Sequence, residues 1–196
     1  MELVFKRLKS LARLGHLPKY YDDQGAFSGL RRGELLALHF GDVDWPNKEI
    51  LVTKALTRGA AKDGVHRWKW EIGPTKTKRS IRRVVISDDI LLYLARMKKT
   101  TTNPNRFLFP DKNGNPIDPD YFDSLFAEIK KRAGQPEIRF HDLRHFFASL
   151  LISQGFSPKY VCDQLGHSSI QVTFDTYGHL FPRGEGRSLS KARRGN

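Results

Sequence analysis

Cysteine is almost missing from this chain of 196 residues: Cys162 is the one copy. No disulfide can close within the chain, which excludes a disulfide-stapled scaffold and suits a reducing compartment. Cys162 itself reads as a small apolar residue buried on a helix. No stretch approaches the ~20 apolar residues of a membrane-spanning helix, and the N-terminus has no apolar run of signal-peptide length. There is no Cys-x-x-Cys pair and no His-Glu-x-x-His, so His141 and His145, four residues apart, do not read as a metal site. The Gly-x-x-x-x-Gly-Lys-Ser/Thr loop that cradles nucleotide phosphates is missing too. No internal repeat and no low-complexity block occurs. These absences lead us to expect a soluble cytoplasmic protein with no cofactor and no membrane partner.

Acidic residues are also scarce. There are 21 Asp and Glu against 34 Lys and Arg, a formal net charge of +13. Such an excess favours a polyanionic partner, with nucleic acid first and an anionic membrane surface second. A hydrophobic fraction of 39% with 13 Phe and 3 Trp argues for a folded domain with a core, not a basic disordered arm.

Hydrophobic periodicity predicts an amphipathic helix over 2–14 and a second over 31–40, stopped by Gly41. Short β-rich segments follow at 49–53, 65–72 and 81–86, predicting a small three-stranded antiparallel sheet. Trp68 and Trp70 alternate on one strand face and read as core. Ser87, Asp118-Pro119 and Ser157-Pro158 are helix-start signals, and Gly134 and Gly166 are stops. Further helices are expected over 88–99, 118–133, 141–154, 158–165 and 168–177. The fold class is therefore α+β: a mainly helical domain with a small three-stranded antiparallel sheet. Residues 1–182 form the domain, and 183–196 form a basic tail expected to be mobile.

Six polar residues carry the chemistry: Arg31, Lys76, His141, Arg144, His167 and Tyr177. Arg31 lies in Ser-Gly-Leu-Arg-Arg-Gly-Glu-Leu (28–35) and Lys76 in Pro-Thr-Lys-Thr-Lys (74–78). His141 and Arg144 share His-Asp-Leu-Arg-His (141–145), three apart on one helix face. His167 ends Gln-Leu-Gly-His (164–167), and Tyr177 ends Thr-Phe-Asp-Thr-Tyr (173–177). Taken singly, each has an ordinary reading as a surface charge, a polar cap or a packing residue. Taken together, the residue types suit attack on a phosphodiester. Arginines fork onto phosphate oxygens, a tyrosine can be the nucleophile, and lysine and histidines can move protons. The basic hairpin segment adds Lys78, Arg79, Arg82 and Arg83 as contacts to DNA phosphates.

In this order and spacing, over roughly residues 26–182, the motifs resemble the catalytic domain of the tyrosine recombinase (phage integrase) family. The resemblance implies site-specific cleavage and rejoining of double-stranded DNA through a 3′-phosphotyrosyl link, without ATP or metal, by a homo-oligomer, a tetramer on DNA. It implies Tyr177 as nucleophile and the other five as its activating set. Within that set, Arg31 and Arg144 clamp the phosphate and His167 donates a hydrogen bond. His141 accepts the Tyr177 proton, and Lys76 protonates the departing 5′ oxygen. Two alternatives stay open from the residues: relaxation of DNA in the manner of type IB topoisomerases, and a decayed or non-catalytic DNA-binding fragment. Only about 25 residues precede the Arg31 motif, where the family usually carries a helical domain that completes a clamp on DNA. Binding by this chain alone is therefore expected to be weak and salt-dependent.

Overall fold

The computed structural model describes residues 29–60, 68–75, 80–99, 103 and 105–182. The expected helix over 2–14, the residues Lys76, Lys78 and Arg79, and the tail 183–196 lie outside the described residues.

Among the described residues, six α-helices and five strands follow one another: α1 (Arg32–Leu36), β1 (Val43–Asp44), β2 (Glu49–Val52), β3 (Lys54–Ala60), β4 (Trp68–Pro74), β5 (Arg82–Val85), α2 (Asp88–Lys98), α3 (Pro119–Arg132), α4 (Phe140–Ser153), α5 (Pro158–Leu165) and α6 (Ile170–Tyr177). The start signals act as the sequence predicts. Ser87 Oγ accepts from the Ile90 amide (3.4 Å), Asp118 Oδ1 from the Asp120 amide (2.9 Å), and Ser157 Oγ from the Tyr160 amide (3.2 Å). Each satisfies an amide that the first helical turn would leave unpaired. Gly166 closes α5 with φ +64°, a left-handed conformation that favours glycine.

The sheet differs in membership from the expected one. One three-stranded antiparallel sheet runs in the order β1-β2-β5, with Ile50 opposite Val84 and Val52 opposite Arg82. The second of the expected strand segments, 65–72, instead contributes to β4, which pairs with β3, a strand the sequence does not signal, in a separate two-stranded ribbon. Lys54-Ala55-Leu56-Thr57-Arg58-Gly59 has little regular alternation, so only its partner strand defines it. The helix expected over 31–40 ends at Leu36, and a 3-10 turn at Phe40–Asp42 leads into β1.

Two hydrophobic clusters hold these elements. The larger takes the inward side chains of the sheet (Ile50, Val52, Val84), α1 (Leu35, Leu36), α2 (Ile90, Leu94) and α3 (Phe122, Phe126, Ile129). The smaller joins α4 (Phe147, Ala148, Leu151, Ile152), α5 (Val161, Leu165) and Tyr177 of α6. Helix α4 bridges them, since its Leu143 belongs to the first cluster and its Phe147 to the second. Burying each of these large side chains contributes roughly 1.5–3 kcal/mol, so both ends of α4 are anchored strongly. The residues between the anchors, Arg144 and His145, stand at the junction.

Candidate active site

Asp142, inside the His-Asp-Leu-Arg-His motif, acts locally. Its Oδ2 accepts from the Arg139 amide (2.9 Å) and fixes the start of α4. One helical face then presents His141, Arg144 and His145. Arg144 is buried, and its guanidinium donates to two main-chain carbonyls, Gly29 O and Leu165 O, each at 2.6 Å. These bonds tie the loop before α1 and the end of α5 to α4. Gly29 has φ +59°, and a Cβ there would lie 2.5 Å from the Phe147 ring, so the loop can approach Arg144 only without a side chain. Burial, with the nearby Arg31 and Arg82 charges, pushes the Arg144 guanidinium down to about 9, which leaves it cationic at neutral pH.

Arg31 stands just ahead of α1. Glu34 accepts from its amide (2.9 Å) and from its Nη1 (2.8 Å), and Arg31 Nη2 reaches Gly166 O (3.2 Å). Its side chain stays 42% exposed and is available to an incoming anion. The Glu34 carboxylate is buried, and it receives a second arginine. Arg82 Nη1 and Nη2 fork onto its two oxygens at 3.0 and 2.8 Å, while Nε donates to Gln164 O at 2.9 Å. Burial pushes the Glu34 carboxyl up, but the Arg82 hydrogen bonds and charge outweigh it and hold the group below the usual carboxylate range.

The Gln164 amide extends the edge of β5 as one more strand residue would: Oε1 accepts from Val85 N (3.0 Å) and Nε2 donates to Arg83 O (3.2 Å). The Gln-Leu-Gly-His turn is thereby fastened to the sheet, to Arg82, to Arg144 and to Arg31. A Cβ at Gly166 would stand 2.9 Å from the Arg82 guanidinium, a second reason for glycine there. Beyond the turn, His167 Nδ1 meets the buried Thr173 hydroxyl at 2.9 Å. Burial, then Arg144, Arg31 and Arg82, push His167 down to about 4, so the ring is neutral at pH 7. A neutral ring that accepts the Thr173 hydroxyl at Nδ1 carries its proton on Nε2, free to donate.

Helix α6 brings Tyr177 to this group. The tyrosine is 4% exposed, its ring lies parallel to His167 (centroids 6.3 Å, 5° between planes), and its hydroxyl is 2.7 Å from His145 Nδ1. Burial pushes the phenol up, against a smaller lowering by the Arg144 charge.

The structure thus gathers Arg31, His141, Arg144, His167 and Tyr177, residues from four separated segments. It departs from the sequence expectations at two points. The Tyr177 hydroxyl is bonded to His145, whereas the motif pattern gives its proton to His141. In the sequence His145 stands out only as half of a histidine pair, although its position one turn beyond His141 places it on the same face. Arg82 is no surface contact: its side chain is 5% exposed and paired with Glu34. Arg83, its neighbour, points outward at 53% exposure and pairs with Asp44 and Glu49. Trp70 is half-buried against the larger core with Arg58 and Arg32 over its ring at 5.2 and 6.0 Å, while Cys162 is buried on α5 as expected.

A sequence model described as the phage integrase family matches residues 26–183. The chain is 32% identical over 171 residues to a protein named tyrosine recombinase XerC-like from Caldanaerobacter subterraneus subsp. tengcongensis, covering 80% of this chain and 44% of that protein. It is 35% identical over 165 residues to the ICEBs1 integrase of Bacillus subtilis, covering 79% of this chain and 43% of that protein. The structure of the Tn1549 transposon integrase in complex with circular intermediate DNA superposes with a TM-score of 0.71 at 25% identity, covering 88% of this chain and 59% of that one. The chain spans less than half the length of these two curated relatives.

Proposed function

The chain belongs to the phage integrase family, and from that premise we propose that it is the catalytic domain of a site-specific recombinase, which cleaves and rejoins double-stranded DNA through a 3′-phosphotyrosyl intermediate. The observation that carries this reading is the placement of the Tyr177 phenol between His145 and His167, within the field of the Arg144 cation.

Tyrosine has a reference pKa of about 10, so ionising it at pH 7 costs roughly 4 kcal/mol, at about 1.36 kcal/mol per unit. Burial makes the cost at Tyr177 higher still. Free tyrosinate is therefore not the attacking species in the resting site. The proton must leave as the bond to phosphorus forms, and cations must meet the charge that develops. Arg31, whose side chain is partly exposed, and Arg144, buried beside it, are the proposed clamp on the non-bridging oxygens. His167 offers an Nε2 proton to the same phosphate. His141 lies on the same face of α4. Burial, His145 and the two arginines push its pKa down, which favours the neutral ring. Lys76 as the acid on the departing 5′ oxygen, and Lys78 and Arg79 as phosphate contacts, rest on their motif and its charge. Arg83 joins them by exchanging its carboxylate partners for phosphate. Arg82 holds the site together from inside.

The retained phosphotyrosyl bond conserves the energy of the broken phosphodiester, so rejoining needs no nucleotide. Assembly of several copies on DNA, a tetramer in the full reaction, and a cytoplasmic location complete the reading. Among the described residues no helix is long and apolar enough to cross a membrane. The test is a nicked suicide DNA substrate that traps the covalent species. The chain is expected to form an adduct that Tyr177→Phe abolishes, with non-covalent DNA binding within about threefold of the parent, because only a hydroxyl is removed. An adduct that persists in Tyr177→Phe on a denaturing gel would overturn the assignment.

A further inference from the structure

We propose that His145 is the proton acceptor for Tyr177 in cleavage and the proton donor to it in rejoining; the proposal rests on the recombinase reading and adds to it a residue outside the six motif positions.

Three features carry it. The first is contact: His145 Nδ1 stands 2.7 Å from the Tyr177 hydroxyl, inside the range a general base needs. The second is rigidity. His145 lies on α4 between Leu143 and Phe147, which are anchored in different cores, and next to Arg144, whose bonds to Gly29 O and Leu165 O fix that turn. The backbone that carries the ring is therefore held in place beside the arginine clamp. The third is a second imidazole beside the ring. His141 packs edge-on against His145, with centroids 4.9 Å apart and planes at 87°. The titratable and charged groups around the ring are His141, Asp142 and Arg144 of its own helix, Tyr177 of α6, and His167 of the turn between α5 and α6.

In cleavage His145 begins neutral, with its proton on Nε2 and a lone pair on Nδ1. The Tyr177 O–H bond breaks as its oxygen forms the bond to phosphorus, and the proton passes to Nδ1. The bond from phosphorus to the 5′ oxygen breaks, and that oxygen leaves with the electron pair and takes a proton from the general acid, Lys76. In rejoining, the 5′ hydroxyl attacks phosphorus and passes its proton to the neutral Lys76 amine, the bond from phosphorus to the tyrosine oxygen breaks, and that oxygen takes the proton held by the His145 imidazolium.

The test compares single-turnover adduct formation by the parent, His145→Ala and His145→Asn on the suicide substrate. Asparagine places an amide oxygen near the position of Nδ1, so it can keep the hydrogen bond but not the basicity. Both variants are expected to lose on the order of 10²–10⁴ in rate, the range for a positioned base, while DNA affinity and melting temperature stay close to the parent. A fluorinated tyrosine at position 177, whose phenol is more acidic, is expected to recover at least tenfold in His145→Ala and to change the parent little. A merely structural histidine would not show that recovery. Nitrogen-15 NMR of the parent imidazole decides the tautomer independently of folding in the variants: an unprotonated Nδ1 whose resonance moves in Tyr177→Phe is expected. Adduct formation by His145→Asn within fivefold of the parent, no recovery with the fluorinated tyrosine, or a proton on Nδ1 at pH 7 overturns the proposal and leaves the recombinase reading standing. Absence of any adduct from the parent overturns both.

Discussion

Two adjacent arginines show how little residue type alone decides. Arg82 and Arg83 carry the same charge in the same strand, yet one is a buried strut and the other a solvent-facing cation. The period of two along β5 separates them: Val84 is buried, so Arg82 shares its face and Arg83 takes the other. That alternation is legible in Arg82-Arg83-Val84-Val85, but the overall basicity of the segment masks it. The two residues should respond differently to substitution. Arg82→Met leaves the Glu34 carboxylate with a single partner in a buried site, and removing one member of a buried pair costs about 3–5 kcal/mol. Arg83→Met breaks exposed pairs that contribute about 1 kcal/mol or less. Chemical denaturation is expected to separate the two by at least about 2 kcal/mol. If they are equally stable, the Arg82–Glu34 fork does not hold the site.

Among elements, the contact between α1 and β3 sets where the ribbon sits relative to Arg31. Gly33 makes that contact close: a Cβ built on it would lie 2.4 Å from the Leu56 carbonyl oxygen, a backbone atom that cannot turn aside. Gly33→Ala is therefore expected to push β3 away from α1 and to destabilise the fold by about 1–3 kcal/mol, as overpacking does. Alanine is the better helix former by about 1 kcal/mol, so a helix governed by propensity alone would be stabilised instead. A rise in melting temperature on Gly33→Ala would show that the ribbon does not dock against α1 at this glycine. Nothing in the sequence of residues 30–36 distinguishes this glycine from a helix-weakening one, because the clashing atom comes from a strand about twenty residues away.

Across the whole molecule, the junction between the two cores is built from cations and neutral imidazoles, and this has a consequence for stability in acid. His167 has a folded-state pKa of about 4 against an ordinary value of 6.5. Above pH 6.5 it is neutral folded or unfolded and contributes no pH dependence. As pH falls from 6.5 to about 4, the unfolded chain takes up a proton that the folded chain refuses, so stability is lost across that window. His141, also held low by burial, acts in the same direction. The melting temperature of the parent is expected to fall over this window, and His167→Asn is expected to show a shallower fall between about pH 6.5 and 4.5. Parallel curves for the two proteins would mean that His167 is not the group excluded from protonation. DNA phosphate brought to the clamp would reverse part of the effect, since an anion beside His167 favours its charged form.

The helices from α2 to α6, the capping residues that open α2, α3 and α5, and the order of the six motif residues are readable from the amino acids. They depend on local signals: an apolar period of about 3.6, a serine or aspartate that pairs with nearby amides, a glycine that turns left-handed. The family is readable too, because the combination of residue types is rarer than any member of it. Long-range pairing is not. Which strand meets β4, which carboxylate receives Arg82, and which histidine meets the Tyr177 hydroxyl each depend on atoms brought together across tens of residues. The His145–Tyr177 contact spans 32 positions, and the Arg82–Glu34 fork spans 48. No local preference encodes such separations. They are decided when two hydrophobic clusters close on either end of α4 and leave the polar residues between them to find one another.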